Sequence, residues 1–135
     1  MLSDKQRGYL ADILRHIELA ETFTQGYAYE TFLGDEKTFF AVVRCFEIIS
    51  EASRRLPDDF KSAHAEIEWP EMAAAGNVYR HGYGGVTPLR VWKTLKEALP
   101  ALREVVGGRA VVRQKPGLAT KMPGFGPGIF TTLKA

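Results

Sequence analysis

One cysteine among 135 residues leaves no partner for an intramolecular disulfide, and that residue, Cys45, sits in an apolar run. No hydrophobic stretch approaches the ~20 residues that a membrane helix needs. The opening segment, MLSDKQRGYLADILRH, carries charges where a secretory leader needs an apolar centre. A cytoplasmic protein is therefore expected. Paired cysteines, an HExxH helix and a carboxylate-rich loop are all missing, so neither a metal site nor a resident cofactor is expected. A P-loop is absent as well, and GFGPG at 124–128 has no strand before it or clear helix after it. The last 31 residues hold no acid at all: Arg109, Arg113, Lys115, Lys121 and Lys134 give that stretch a charge of +5. All 16 acids share residues 1–104 with the other 13 basic residues, leaving the body at −3. Such a body is no general nucleic-acid surface; any work on RNA must rest on a local site or on the basic tail.

What is present is helical periodicity. Leu10, Ile13, Leu14, Ile17, Ala20 and Phe23 recur at three- and four-residue steps, which predicts an amphipathic helix over 4–25 with Ser3 as its N-cap. Gly26 and YAYETF break the pattern, and Gly34-Asp35 opens a second helix over 36–56. Its apolar stripe is Phe39, Val42, Val43, Phe46 and Ile49, extended by Ser50 and Ser53. Arg44, Glu47, Glu51, Arg54 and Arg55 read as a solvated face. A connection follows, with a helical turn at 58–64. Pro70 suits the first turn of a third helix reaching His81. Thr87-Pro88 opens a fourth, with Leu89, Val91, Trp92, Leu95, Leu99 and Leu102 as its apolar positions.

The expectation is all-α: an up-and-down four-helix bundle over 1–106. Residues 107–135, with six glycines and three prolines, are expected to form a flexible or loosely docked basic tail.

The candidate chemistry lies in GNVYRHGYGG, residues 76–85. A helix reaching His81 sets Asn77 one turn earlier on the same face and places the imidazole near the negative end of the helix dipole, which favours its protonated form. Gly82 permits the left-handed turn that closes a helix, and Tyr83 then projects from the loop. From the residues alone two readings stand. A histidine beside a glycine-rich turn commonly caps the helix, and a lone tyrosine commonly packs. The same imidazole, amide and phenol also suit phosphoryl-transfer chemistry on RNA without a metal. His16 and His64 have no partners at useful spacing and are assigned to surface or core.

RHIELAETF, FEIISEASRRLPDDFKSAHAEIEW, GNVYRHGYGGV and VWKTLKEALPALREVV together resemble the HepT-like members of the HEPN superfamily over residues 4–105. The resemblance implies a helical bundle that forms a homodimer, or a higher oligomer, with the motif lining a cleft between protomers. It implies a metal-independent endoribonuclease that acts as a toxin on RNA. The implied partner is a small nucleotidyltransferase antitoxin that uses ATP to attach AMP to the motif tyrosine, here Tyr83. The family's motif is an arginine, a polar residue, a short gap, then His-x-Tyr. Asn77, His81 and Tyr83 match it, but the arginine position is Gly76, which cannot hold a phosphate. Either Arg80 or a basic group of the other protomer supplies the missing charge, or this chain is a weak or inactive dimer whose work is to bind the nucleotidyltransferase. A third option is a sequence altered near its end, because the GGRAVVRQKPG tail has no counterpart in the family pattern.

Overall fold

The computed structural model describes residues 2–74 and 87–108. Among these residues every regular element is a helix, as the apolar periodicity requires.

Helix α1, Asp4–Phe23, begins at a capping box. The Ser3 hydroxyl accepts from the Gln6 amide, and the Gln6 side chain accepts from the Ser3 amide, so two otherwise orphaned donors are satisfied. Its apolar edge, Leu10, Ile13, Leu14, Ile17 and Ala20, is buried. The turn after it needs Gly26, whose φ of +80° lies in the left-handed region that side chains avoid. YAYETF, expected only to break the pattern, instead forms the short helix α2, Tyr29–Leu33, around the fully buried Phe32.

Helix α3, Glu36–Arg54, starts at Asp35, whose carboxylate accepts from the Thr38 amide and hydroxyl and from the Tyr27 phenol at 2.6 Å. The phenol and Thr38 bonds stabilise the charged form and hold this carboxyl at about 2. Val42, Val43, Phe46, Ile49, Ser50 and Ser53 are buried as expected. Cys45 joins the core, and burial pushes its thiol up to about 11. Helices α1 and α3 run antiparallel: Arg55 stands 6.0 Å over the Tyr9 ring, while Arg15 lies within electrostatic reach of Cys45.

Two shorter pieces follow, α4 over Asp58–Ala63 and α5, described over 69–74. The last helical run opens as α6, Pro88–Lys93, at the expected Thr87 cap and N-terminal proline. It continues through a π-turn, Thr94–Ala98, into α7, Leu99–Val106. Pro100 accounts for the widened turn, since it has no N–H to offer the Lys96 carbonyl and its ring crowds that oxygen. Arg103 pairs with Glu18 and Glu21, and Gly107 lies beside Leu14, so this run is antiparallel to α1. Val91, Leu95, Leu99 and Leu102 are core residues. Leu89, expected on the same face, is 46% exposed instead, because it sits in the first turn before the helix meets its neighbours.

All-α architecture is thus established. Two long helices and the 88–106 run pack together as an up-and-down arrangement predicts, whereas the fourth helix of the expected bundle is described only over 69–74. No helix among the described residues is long and apolar enough to cross a membrane.

Candidate functional site

Gly76, Asn77, Arg80, His81 and Tyr83 lie outside the described residues. What the structure does show is how the chain is held immediately before and after them.

The approach is fastened at two points. At the start of α5 the indole of Trp69, almost wholly buried, donates to the carbonyls of Lys61, at 3.1 Å, and His64, at 3.0 Å. Trp69 thereby adds a second donor to carbonyls at and just after the end of α4 that also accept from the His64 and Ile67 amides, each at 3.2 Å. Four residues further on, the Ala73 carbonyl accepts from the Ser50 hydroxyl at 2.7 Å and from the Arg54 guanidinium at 3.1 Å. Ser50 and Arg54 share a face of α3 because they are four residues apart. Glu51 holds Arg54 in turn at 2.6 Å and also grips Arg55, and these two bonded guanidiniums keep the Glu51 carboxyl below its ordinary range. The solvated face expected of α3 is borne out for Arg44 and Arg55, but Arg54 is half-buried and turned onto α5. Sequence reasoning did not single out this clasp; the i,i+4 pairing of a small hydroxyl and a long cation beside an apolar stripe is the signal it offered.

The departure is held by aromatic packing. Thr87 caps α6 by accepting from the Arg90 amide at 3.2 Å. Trp92 then meets Phe32 at 5.2 Å and Tyr29 at 6.1 Å between ring centroids, with the Lys96 ammonium over the Trp92 ring, 4.7 Å from its centroid. Polar bonds to α3 therefore fix the chain entering 75–86, and ring contacts to α2 fix the chain leaving it.

Of the other histidines, His16 donates to the Asp12 carbonyl at 2.7 Å within its own helix. His64 packs on Phe60 at 4.7 Å, 3.9 Å from the Glu66 carboxylate. Both are half-buried, and His64 does have an acidic neighbour that the sequence reading had not assigned.

An all-helical domain whose two anchored segments bracket a His-x-Tyr sequence belongs to a recognisable class. The family profile described as "HepT-like: Ribonuclease HepT-like" matches residues 13–107. The chain belongs to that family. It is 50% identical over 97 residues to "Probable ribonuclease HepT" of Thermococcus cleftensis, a match covering 72% of this chain and 88% of the relative. It is 33% identical over 100 residues to "Putative RNase MJ1380" of Methanocaldococcus jannaschii, covering 74% and 92%. A "Putative RNase" of Caldanaerobacter subterraneus is 34% identical over 100 residues, covering 74% and 89%. No solved structure matches at the same stringency.

Proposed function

We propose that the protein is a metal-independent endoribonuclease toxin of a toxin–antitoxin module. The observation that carries this is the family match across residues 13–107, the span that holds Asn77, Arg80, His81 and Tyr83. In this reading His81 is the general acid or base that moves a proton at the breaking phosphodiester, Asn77 orients it, and Arg80 contacts the phosphate. The site acts in a homodimer, in a cleft between protomers, in the cytoplasm.

Control comes from a minimal nucleotidyltransferase antitoxin. The Tyr83 phenol loses its proton and its oxygen attacks the α-phosphorus of ATP; the bond from that phosphorus to the bridging oxygen breaks, pyrophosphate departs, and the tyrosine is left joined to AMP by a phosphodiester. The added negative charge and bulk then occupy the place where an RNA phosphate must sit. Intact-mass measurement after co-expression with such a partner is expected to show added AMP units on the wild type and none on Tyr83→Phe; no AMP on the wild type, or the same addition on both, removes this mode of control.

The central experiment is RNA cleavage by purified protein in a metal chelator. Wild type is expected to cut, and His81→Ala to lose on the order of 10²–10⁴-fold in rate. Equal inertness of both on varied RNAs rejects the enzymatic reading.

Gly76 favours a second reading, a non-catalytic dimer that works by binding the nucleotidyltransferase, since glycine offers no charge to a phosphate. The same assay separates the two. A large gain of cleavage in Gly76→Arg over an inert parent supports the second reading, whereas no change in an already active enzyme supports compensation by Arg80.

A further inference from the structure

Between α5 and the π-turn and α7 lies an open groove of about 740 Å³. Among the described residues its rim carries four carboxylates, Glu66, Glu68, Glu71 and Glu97, against two cations, Arg90 and Lys93. Among the described residues none of Glu68, Glu71 and Glu97 has an ion-pair partner, and Glu66 has only the His64 ring at 3.9 Å. The floor is apolar: Ile67 and Met72 on one side, and on the other Ala98 and Ala101, whose small side chains let another backbone approach closely. Acidic rims over an apolar floor suit a basic segment with a short apolar centre. They repel a nucleic-acid backbone.

We propose that this groove docks the chain's own basic segment 109–121. Its sequence, RAVVRQKPGLATK, sets Ala110, Val111 and Val112 between Arg109 and Arg113, with Lys115 and Lys121 beyond and no acid among them. The valines match the alanine-lined floor, and the flanking cations match the rim. Reach is sufficient as well. Ala101 lies seven residues before Gly108, about 10 Å back along the helix, and three or four extended residues cover that distance. The segment leaves from the C-terminal end of α7, so going back along the groove it meets Ala101 and Glu97 before Lys93 and Arg90 of α6. The family match stops at 107, so the occupant lies outside the part of the chain shared with the relatives. Nothing in this inference depends on the ribonuclease reading.

The test uses the full chain carrying Gln114→Cys with a nitroxide attached. Cys45, 3% exposed, stays out of the labelling reaction. The expected result is paramagnetic loss of the amide signals of Glu97, Ala98 and Ala101, with those of Arg44 and Glu47 on the α1–α3 side retained. Glu71→Lys combined with Glu97→Lys is expected to restore the lost signals; both side chains are exposed, and the neutral pair Glu71→Gln and Glu97→Gln, expected to restore them in part, guards against a folding artefact. Retained signals at 97–101 in the labelled chain overturn the proposal, as does loss that survives the double reversal. Loss that arises only when labelled chain is mixed with isotope-labelled, spin-free chain assigns the groove to a second copy's tail and overturns docking within one chain.

Discussion

Asp35 does three jobs with one carboxylate: it caps α3, binds the Thr38 hydroxyl and receives the Tyr27 phenol that closes the preceding turn. Its folded pKa of about 2 lies below the ordinary 3.8, so its contribution is fully present above pH ~4 and lost as pH falls towards 2. Asp35→Asn keeps a capping oxygen but has no charge to titrate. The variant's melting temperature, followed from pH 5 to pH 2, is expected to fall less steeply than the wild type's; parallel curves would detach this carboxyl from acid stability. Residue-scale features were also where the sequence was most legible. Ser3, Asp35 and the Thr87-Pro88 pair announce helix starts because capping is local chemistry, decided by the hydrogen-bond reach of one side chain. Arg54 was misread for the opposite reason. Its partner is a carbonyl 19 residues away, and no local pattern reveals which way a long cation turns.

At the scale of elements, α2 shows what periodicity misses. Five residues are too few to display a 3.6-residue repeat and too few to hold a helix alone, so α2 exists through Phe32 and its contacts with Phe39 and Trp92. Phe32→Ala is expected to cost about 3–5 kcal/mol in urea unfolding. A loss below about 1 kcal/mol would mean that α2 is held by something else. The π-turn escaped for a related reason. The apolar positions Val91, Leu95, Leu99 and Leu102 are the same whether the helix is continuous or widened, and Pro100 alone marks the change. The fold class survived these local errors because α1, α3 and the final run carry long, unambiguous apolar stripes.

For the whole molecule, the asymmetry between a mildly acidic body and a cationic end was visible in composition, but the acidic groove was not. Its carboxylates come from the 66–71 stretch and from the π-turn, brought together only by packing. The motif residues 76–83 were legible as chemistry from their spacing and from the family pattern, while their placement belongs to the segment between the two anchors. Light scattering is expected to return twice the 15.0 kDa chain mass, as the shared-cleft reading requires; a monomer at working concentration would deny the site its second wall.

The two fastenings around 75–86 differ in kind, and that difference has a genetic consequence. Carbonyl bonding to Ser50 and Arg54 tolerates little geometric error, whereas ring stacking around Trp92 degrades gradually. On the toxin proposal, selection for survivors of an overproduced copy is therefore expected to yield null alleles on the α3 side and temperature-conditional alleles on the α2 side, all of them outside the 76–83 motif.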